Sequence, residues 1–372
     1  MITIREVKTP KDIKKFIEFP LELYKDCPYF VPPLYGDEKK LLSSPRENEY
    51  SESVFYLAEK DGKTVGRIHA LVQKQYNRLH SCSQVRFTRF DSIDDKEVAE
   101  KLFEAAEKWG KARGMNEICG PLGFNDLERE GLLIEGFNEN STFEEQYNYE
   151  YYAALVESYG FEKDTDWLEH ELRKPEKKNE MLSRVAQRTL ELNKLHVAPT
   201  DLPKKKYIEK YRDGFFDCLD VCYSKLYGTV PLTREAQDEI ISQFLLIVNK
   251  EFAMFICDEN DNVVAFGICF PGIADALKKS GGRLTPAALV RVLKAVKNPS
   301  VIDLGLVGVR PEYQNTGINA VILEGLLSML ESGNVEKCET NLNLEDNTAV
   351  LSQWKYFSTR QHKRRRAYTK KI

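Results

Sequence analysis

The sequence predicts an α+β fold built twice along one chain, as two tandem halves, each a mostly antiparallel mixed sheet flanked by helices. Three observations carry this expectation. The order of strand-like and helix-like segments recurs in the two halves while residue identities do not, a pattern that fits a duplicated fold better than two unrelated ones. Each half contains a hairpin of two apolar runs around a polar turn, Asp61–Gly62 in the first and residues 259–262 in the second. Each half then carries a strand that runs through a polar loop into a helix. At 372 residues and 42% hydrophobic composition, the chain has more than one core's worth of sequence and enough apolar residues for both.

The elements follow in order. "MITIREV" reads as a short alternating strand, and a helical stretch starts at Lys11. "VFYLAEK" and "KTVGRIHALV" flank Asp-Gly, a strong local hairpin signal. "QVRFTRF" is a strand. From about Asp94 to Arg113, Val98, Leu102, Ala105, Ala106 and Trp109 fall three and four apart on one helix face, and Gly114 ends the helix. "MNEICG" is a strand, "YYAALVESYGF" a helix ending at Gly160, and "FEKDTDWLEHELRK" closes the half. The first domain is therefore placed at 1–175. Residues 176–195 are charged and helical, read as the connection. The second domain, 196–372, repeats the order: "KLHVAP" as strand, helices near 204–227 and 233–249, the second hairpin, and a Gly/Pro-punctuated insert at 271–300. The strand "VIDLGLVGV", a loop, a helix to Glu331, the strand "VEKCETNL", a helix from Asp346 and a final basic strand complete it.

Composition removes several function classes. A net charge of −4 disfavours general nucleic-acid binding, which rests on neutralising phosphates. Eight cysteines without a C-x-x-C and five scattered histidines offer no zinc-type spacing, so no metal is expected. Dispersed cysteines read as reduced, which suits the cytoplasm; Cys218 and Cys222, four apart, suit one helix face. No apolar run reaches the length of a membrane span, and the N-terminal residues lack a signal-type apolar region, so no membrane partner is expected. A monomer and a homodimer both remain open.

The chemistry concentrates in "VRPEYQNTGIN", where the strand ending at Val309 turns into the next helix. The first N–H groups of a helix have no partner within it, and the helix dipole adds positive potential there. Gln314, Asn315, Thr316, Gly317, Ile318 and Asn319 carry no negative charge, and Gly317 gives the backbone freedom to approach a ligand. The loop reads as a phosphate cradle. At the same place in the first half stands "DSIDDKE". Asp91, Asp94 and Asp95 crowd that helix start, and Ser92 with Asp95 reads as a capping pair, so the first half is expected to bind no anion there. Asp303 and Glu339, on consecutive strands of the second half, are the candidate bases, and Tyr368 on the last strand is a candidate acid.

"LGLVGVRPEYQNTGIN" resembles the signature of the GNAT-type N-acyltransferase superfamily, an apolar strand, V-x-P-x-Y and then Q/R-x-x-G-x-G/A. "ETNLNLEDNTAVLSQW" resembles that superfamily's next strand and helix, and "YNYEYYAALVESYGFEK" its helix ending in Gly-Phe. The chain looks like a bacterial group with two GNAT-like halves in tandem. The resemblance implies an acyl-CoA donor, acetyl-CoA most often, and a small-molecule or peptide amine as acceptor. It places the CoA pyrophosphate on the backbone of Gln314 to Asn319, the pantetheine arm along Leu306, Val307 and Val309, and a bond to that arm from Asn347. Two departures stand out: Asn319 replaces the second small residue of the loop, and Trp354 stands where the superfamily's tyrosine protonates the leaving thiolate. They motivate an alternative, an acyl-CoA-binding or regulatory protein without turnover. A Fem-type aminoacyl transferase, which would need tRNA, is disfavoured by the acidic balance. The basic tail from Arg360 reads as a charged edge strand. "FNENSTFEEQYNYEYY" reads as lining for a cationic acceptor or as a cap on the first core. Cys338 has no histidine placed to activate it.

Overall fold

Two units share this chain by interleaving. The first comprises Met1–Leu168, Ala274–Ala288 and His362–Ile372; the second comprises Glu169–Ile273 and Leu289–Gln361. The structure is a computed structural model and describes residues 1–43, 48–177 and 179–372. Up to the middle of the chain the elements are β1 (Ile2–Glu6), α1 (Pro10–Leu23), α2 (Tyr35–Ser43), β2 (Ser51–Lys60), β3 (Lys63–Gln73), α3 (Lys74–His80), β4 (Gln84–Ser92), α4 (Lys96–Lys111), β5 (Glu117–Gly120), β6 (Leu132–Glu135), α5 (Tyr151–Ser158) and β7 (Glu162–Arg173). There follow α6 (Glu180–Leu192), β8 (His196–Val197), α7 (Lys204–Tyr223), α8 (Arg234–Phe244), β9 (Ala253–Cys257), β10 (Val263–Pro271), α9 (Ala274–Lys278), α10 (Pro286–Lys297), β11 (Val301–Val309), α11 (Ile318–Glu331), β12 (Lys337–Thr340), β13 (Asn343–Leu344), α12 (Thr348–Leu351) and β14 (Ser358–Lys371).

The strands of the two units repeat one pairing pattern. In the first unit β1, β2, β3 and β4 pair antiparallel in sequence order, β4 runs parallel to β5, and β14 pairs antiparallel with β5. In the second unit β8, β9, β10 and β11 pair antiparallel, β11 runs parallel to β12, and residues of β7 pair antiparallel with β12. The duplication is thus one of topology. The closing strands differ from the expected halves: the first unit takes its sixth strand from the end of the chain, and the second takes its own from β7. The boundaries 1–175 and 196–372 therefore do not follow the units. Nor is 176–195 a bare connection, because Leu182 and Ala186 of α6 are buried in the second core with Ile318, Val321 and Leu326 of α11.

The basic tail is not an edge strand. Tyr368 pairs with Gly120 on one neighbour and Arg366 with Leu132 on another. Lys363 and Arg365 are buried. Arg364 and Arg366 both reach Asp166, at 3.1 and 2.8 Å, and Arg365 lies 3.3 Å from Glu145. A row of cations can sit inside a sheet only where buried carboxylates meet it, and those partners are remote in sequence. Residues of the 271–300 insert also join the first unit: Arg283 bonds Glu18 at 2.7 Å, and Lys278 bonds Asn140 at 2.7 Å.

Candidate functional site

In the second unit β11 is paired on both sides only as far as Leu304. It runs beside β12 from Val301 opposite Lys337 to Leu304 opposite Thr340, and Asn341 N donates to Leu304 O at 3.0 Å. Pairing with β10 continues to Val309, across a register shift that leaves Gly305 as an extra residue. Such a bulge bends and twists its strand. A Cβ at Gly305 would stand 2.4 Å from the Phe270 ring. Arg310 N donates to Val264 O at 3.0 Å, which fixes that pair as hydrogen-bonded. Alternation along an antiparallel ladder then turns Gly308 and Leu306 toward β10, and the N–H and C=O of Val307 and Val309 away from it.

Tyr223, Gln314 and Cys222, which takes a backbone hydrogen bond from Val309, hold those outward groups. The Tyr223 hydroxyl accepts from Val307 N at 3.3 Å and donates to Val307 O at 3.2 Å. Gln314 Nε2 donates to Val309 O at 3.3 Å. The Tyr223 and Gln314 bonds are all long, and Tyr223 is only half-buried, so the edge is available to a better partner. Tyr223 is the last residue of α7, four residues short of the expected helix end. Nothing local in "CLDVCYSKLY" marks it; the packing of α7 against β10 and β11 brings it there. On the same helix Cys222 and Cys218 have their sulfurs 3.8 Å apart, as their spacing requires.

The loop after β11 has the conformation a cradle needs. Gly317 sits at φ +94° as the N-cap of α11 and makes no side-chain cap; Asn315 is at φ +63°. Among the described residues, the N–H groups of Asn315, Gly317, Ile318 and Asn319 donate to nothing, while Gln314 N donates to Pro311 O and Thr316 N to Tyr313 O. Asn319 is exposed, so its side chain does not fill the space in front of the helix. A Cβ on Gly317 would lie 2.5 Å from Thr189 Oγ1 on α6, so the glycine is held by packing as well as by its positive φ. Asn347 caps α12 by accepting from Val350 N at 3.3 Å, which leaves its side-chain N–H groups for another partner.

Asp303 and Glu339 are directly opposite across β11 and β12, hence on one face of the sheet, and both are buried. Lys337 Nζ lies 2.5 Å from Glu339 and 3.0 Å from Glu171. Burial works to raise Glu171, but hydrogen bonds from Arg173 and Lys337 outweigh it and push the carboxyl down to about 2. Tyr368 is brought to none of these groups. It belongs to the first unit, buried in that core with its hydroxyl on Glu157 at 3.0 Å, because its strand pairs with β5. Trp354 is buried in the second core and donates to Asn343 Oδ1 at 3.0 Å.

The first unit has the same parting of strands and has closed it. β4 pairs with β5 from Gln84 to Arg86. Beyond that, Phe87 O accepts from Leu122 N at 2.9 Å, and Phe90 O from Gln146 Nε2 at 3.2 Å. Ser92 N donates to the Tyr152 hydroxyl at 3.2 Å, and Ser92 O accepts from Tyr151 at 2.7 Å. The α4 start is capped by Asp95, which accepts from Glu97 N at 3.0 Å; Ser92 is not in the cap, since it lies within β4. A cleft of about 310 Å³, counting space open to solvent, lies beside this edge. Arg67, Arg89 and Arg129 line it against Glu38 and Asp91. Gln146 and Tyr147 of the acidic-aromatic segment line it too, but three arginines against two carboxylates give the wrong sign for a cationic acceptor. The remainder of that segment caps the first core through Tyr147 and Tyr152.

No protein-family model matches the chain. The tandem GNAT protein from the clavulanic acid biosynthesis pathway matches it with a TM-score of 0.56 over 100% of this chain and 98% of that one, at 12% identity. This chain has the tandem GNAT fold. The full-length match agrees with the repeated strand order and with the parting of the parallel pair in each GNAT-type unit. Among curated proteins, YghO of Escherichia coli strain K12 is 27% identical over 378 residues, 99% of this chain and 95% of that protein. The bacterial ceramide synthase of Caulobacter vibrioides is 26% identical over 327 residues, 85% of this chain and 82% of the synthase.

One further cluster lies in the second GNAT-type unit. His196, Cys257 and Asp261 offer ligand atoms within 4.8 Å of one another. Lys210 and His196 each reach Asp261 at 3.0 Å and hold its carboxyl below the usual range, while burial pushes the Cys257 thiol up to about 12.

Proposed function

We propose that the second unit is an acyl-CoA-dependent N-acyltransferase, acting by direct attack of an amine on the thioester. The observation that carries this reading is the coincidence, within one strand–loop–helix unit, of a strand edge at Val307 and Val309 that no other strand pairs and only weak side-chain bonds hold, and four N–H groups around the start of α11 that donate to nothing among the described residues. A pyrophosphate suits the second; the peptide-like amides of a pantetheine arm suit the first, as an added strand would. Asn347 stands ready to bond the same arm. Acyl transfer forms a C–N bond, breaks the C–S bond and moves a proton from amine to thiolate. The Val307 N–H and the Tyr223 hydroxyl are the donors for the developing oxyanion and the leaving sulfur, which gives Tyr223 the role that Trp354 and Tyr368 do not fill. Asp303 is the candidate base, beside the point where the strands part, with Glu339 and Lys337 setting the charge around it.

The name of the Caulobacter relative favours a fatty-acyl donor and a long-chain amino-alcohol acceptor over an acetyl donor and a peptide. Calorimetric titration with acetyl-CoA and with long-chain acyl-CoAs tests both levels. Binding of an acyl-CoA is expected, and Asn319→Glu is expected to abolish it. A carboxylate in the first turn suits the helix itself, so this variant keeps the fold while repelling a pyrophosphate. Absence of binding by every acyl-CoA, or binding indifferent to Asn319→Glu, overturns the reading. A bound acyl-CoA with no thiol release from any amine would favour the non-catalytic alternative, for which Trp354 speaks.

A further inference from the structure

Helix α10, whose residues from Leu289 onward belong to the second unit, carries exposed aliphatic side chains. Val292 is buried, while Leu289, Val290 and Leu293 are 36%, 68% and 47% exposed. At about 100° per residue these three side chains fall within an arc of roughly 100°, so they form one stripe rather than scattered exposures. Lys294 and Lys297, one turn beyond Val290 and Leu293, are exposed at its end. The helix itself is one-sided in charge: from Pro286 to Lys297 it carries Arg291, Lys294 and Lys297 and no aspartate or glutamate, in a chain whose net charge is −4. The helix dipole accounts for basic residues in a last turn. It does not account for three large aliphatic side chains in water beside them.

We propose that α10 docks the chain on the surface of an anionic membrane, lying in the interface with Leu289, Val290 and Leu293 among the acyl chains and Lys294 and Lys297 at the headgroup phosphates. Lysine stems reach along an apolar stripe while their ammonium groups stay at the polar level. A second copy of this chain is the poorer occupant. A two-fold contact would set the same lysines against each other, and three aliphatic side chains give far less than the roughly 1,000 Å² a stable protein interface needs. Anionic lipid supplies both missing complements, hydrocarbon and negative potential. Because no span is required, the absence among the described residues of a helix long and apolar enough to cross a membrane leaves this mode open. The proposal goes beyond the acyl-transfer reading and does not depend on it.

The experiment is flotation of the full chain with vesicles of phosphatidylcholine, with and without phosphatidylserine. Flotation is expected with phosphatidylserine only, and is expected to fall as salt rises. Val290→Ser with Leu293→Ser should remove it. Lys294→Glu with Lys297→Glu should weaken partitioning at least roughly thirtyfold, at about the worth of one lysine each near such a surface. These exposed positions should leave the thermal transition unchanged, which separates lost docking from lost folding. No flotation on phosphatidylserine vesicles, or flotation indifferent to both double variants, overturns the proposal. So does a dimer in sedimentation that Val290→Ser with Leu293→Ser dissociates, since the face would then belong to a second copy.

Discussion

The edge of β11 in the second unit and the edge of β4 in the first occupy the same place in one topology and have opposite fates. Both strands part from a parallel neighbour after three or four pairs. Along β4 the outward groups are then taken by Leu122, Gln146, Tyr151 and Tyr152, and the following helix is capped by Asp95. Along β11 they meet the long bonds of Tyr223 and Gln314 and the sulfur of Cys222, and the helix start has no side-chain cap. The lesson is that a backbone geometry suited to a ligand is kept or lost by a few side chains. In the first unit the side chains of Gln146, Tyr151 and Tyr152 and the backbone N–H of Leu122 take up that edge while the topology around it stays.

Several experiments would break or sharpen that contrast. The largest effect is expected where the first unit relies on the chain's end. Arg365→Met removes the cation that lies 3.3 Å from the buried Glu145, and breaking a buried pair costs about 3–5 kcal/mol; denaturant unfolding should register it, and an unchanged midpoint would mean the pair contributes nothing. Next come two carboxyls, one per unit. Burial works to raise Glu38, but the Arg89 guanidinium outweighs it and pushes the group down to about 2, as Arg173 and Lys337 do for Glu171. A depressed carboxyl contributes stability that is present in full above its unfolded value near 4.3 and is lost as pH falls from there toward 2. Each contributes about 3 kcal/mol at neutral pH. Glu38→Gln should flatten the acid limb of the first unit and Glu171→Gln that of the second; a variant that flattens neither would show the pair is screened away.

For Tyr223→Phe we expect turnover to fall about a hundredfold with acyl-CoA affinity kept within a few-fold, measured by thiol release and calorimetry. Equal losses in both would assign Tyr223 to binding alone. The smallest effect concerns the closed copy. Asp95→Ala removes a cap and should cost about 1 kcal/mol without creating acyl-CoA binding in the first unit, since Gln146 and the tyrosines still hold the edge. New binding there would mean that the cap alone kept the site shut.

Much of this was readable from the residues. Both hairpins, the α4 face through Val98, Leu102 and Ala106, the bare loop at Gly317 and the carboxylates at the first unit's counterpart are local facts of periodicity, turn chemistry and charge. The expected Ser92–Asp95 cap failed by one element, because Ser92 finishes a strand. The tail misled for a physical reason: a run of arginines looks solvated until Asp166 and Glu145 are seen beside it, and nothing near residue 365 announces them. Tyr368 went to the wrong unit for the same cause. Tyr223 had no local signal at all, since its meaning comes from the ladder alternation that turns Val307 toward it.

The sequence by itself determined the kinds of element, their order and its repetition, and which of the two loops could face an anion, because these depend on neighbours within a few residues. Only the tertiary structure decided which strand closes each unit, where the connecting helix packs, which phenol meets the open edge and that α10 leaves aliphatic side chains exposed. Those outcomes depend on contacts between residues remote in sequence, 84 positions apart for Tyr223 and Val307 and more for the closing strands, where many partners are compatible with any local pattern and packing and charge select one.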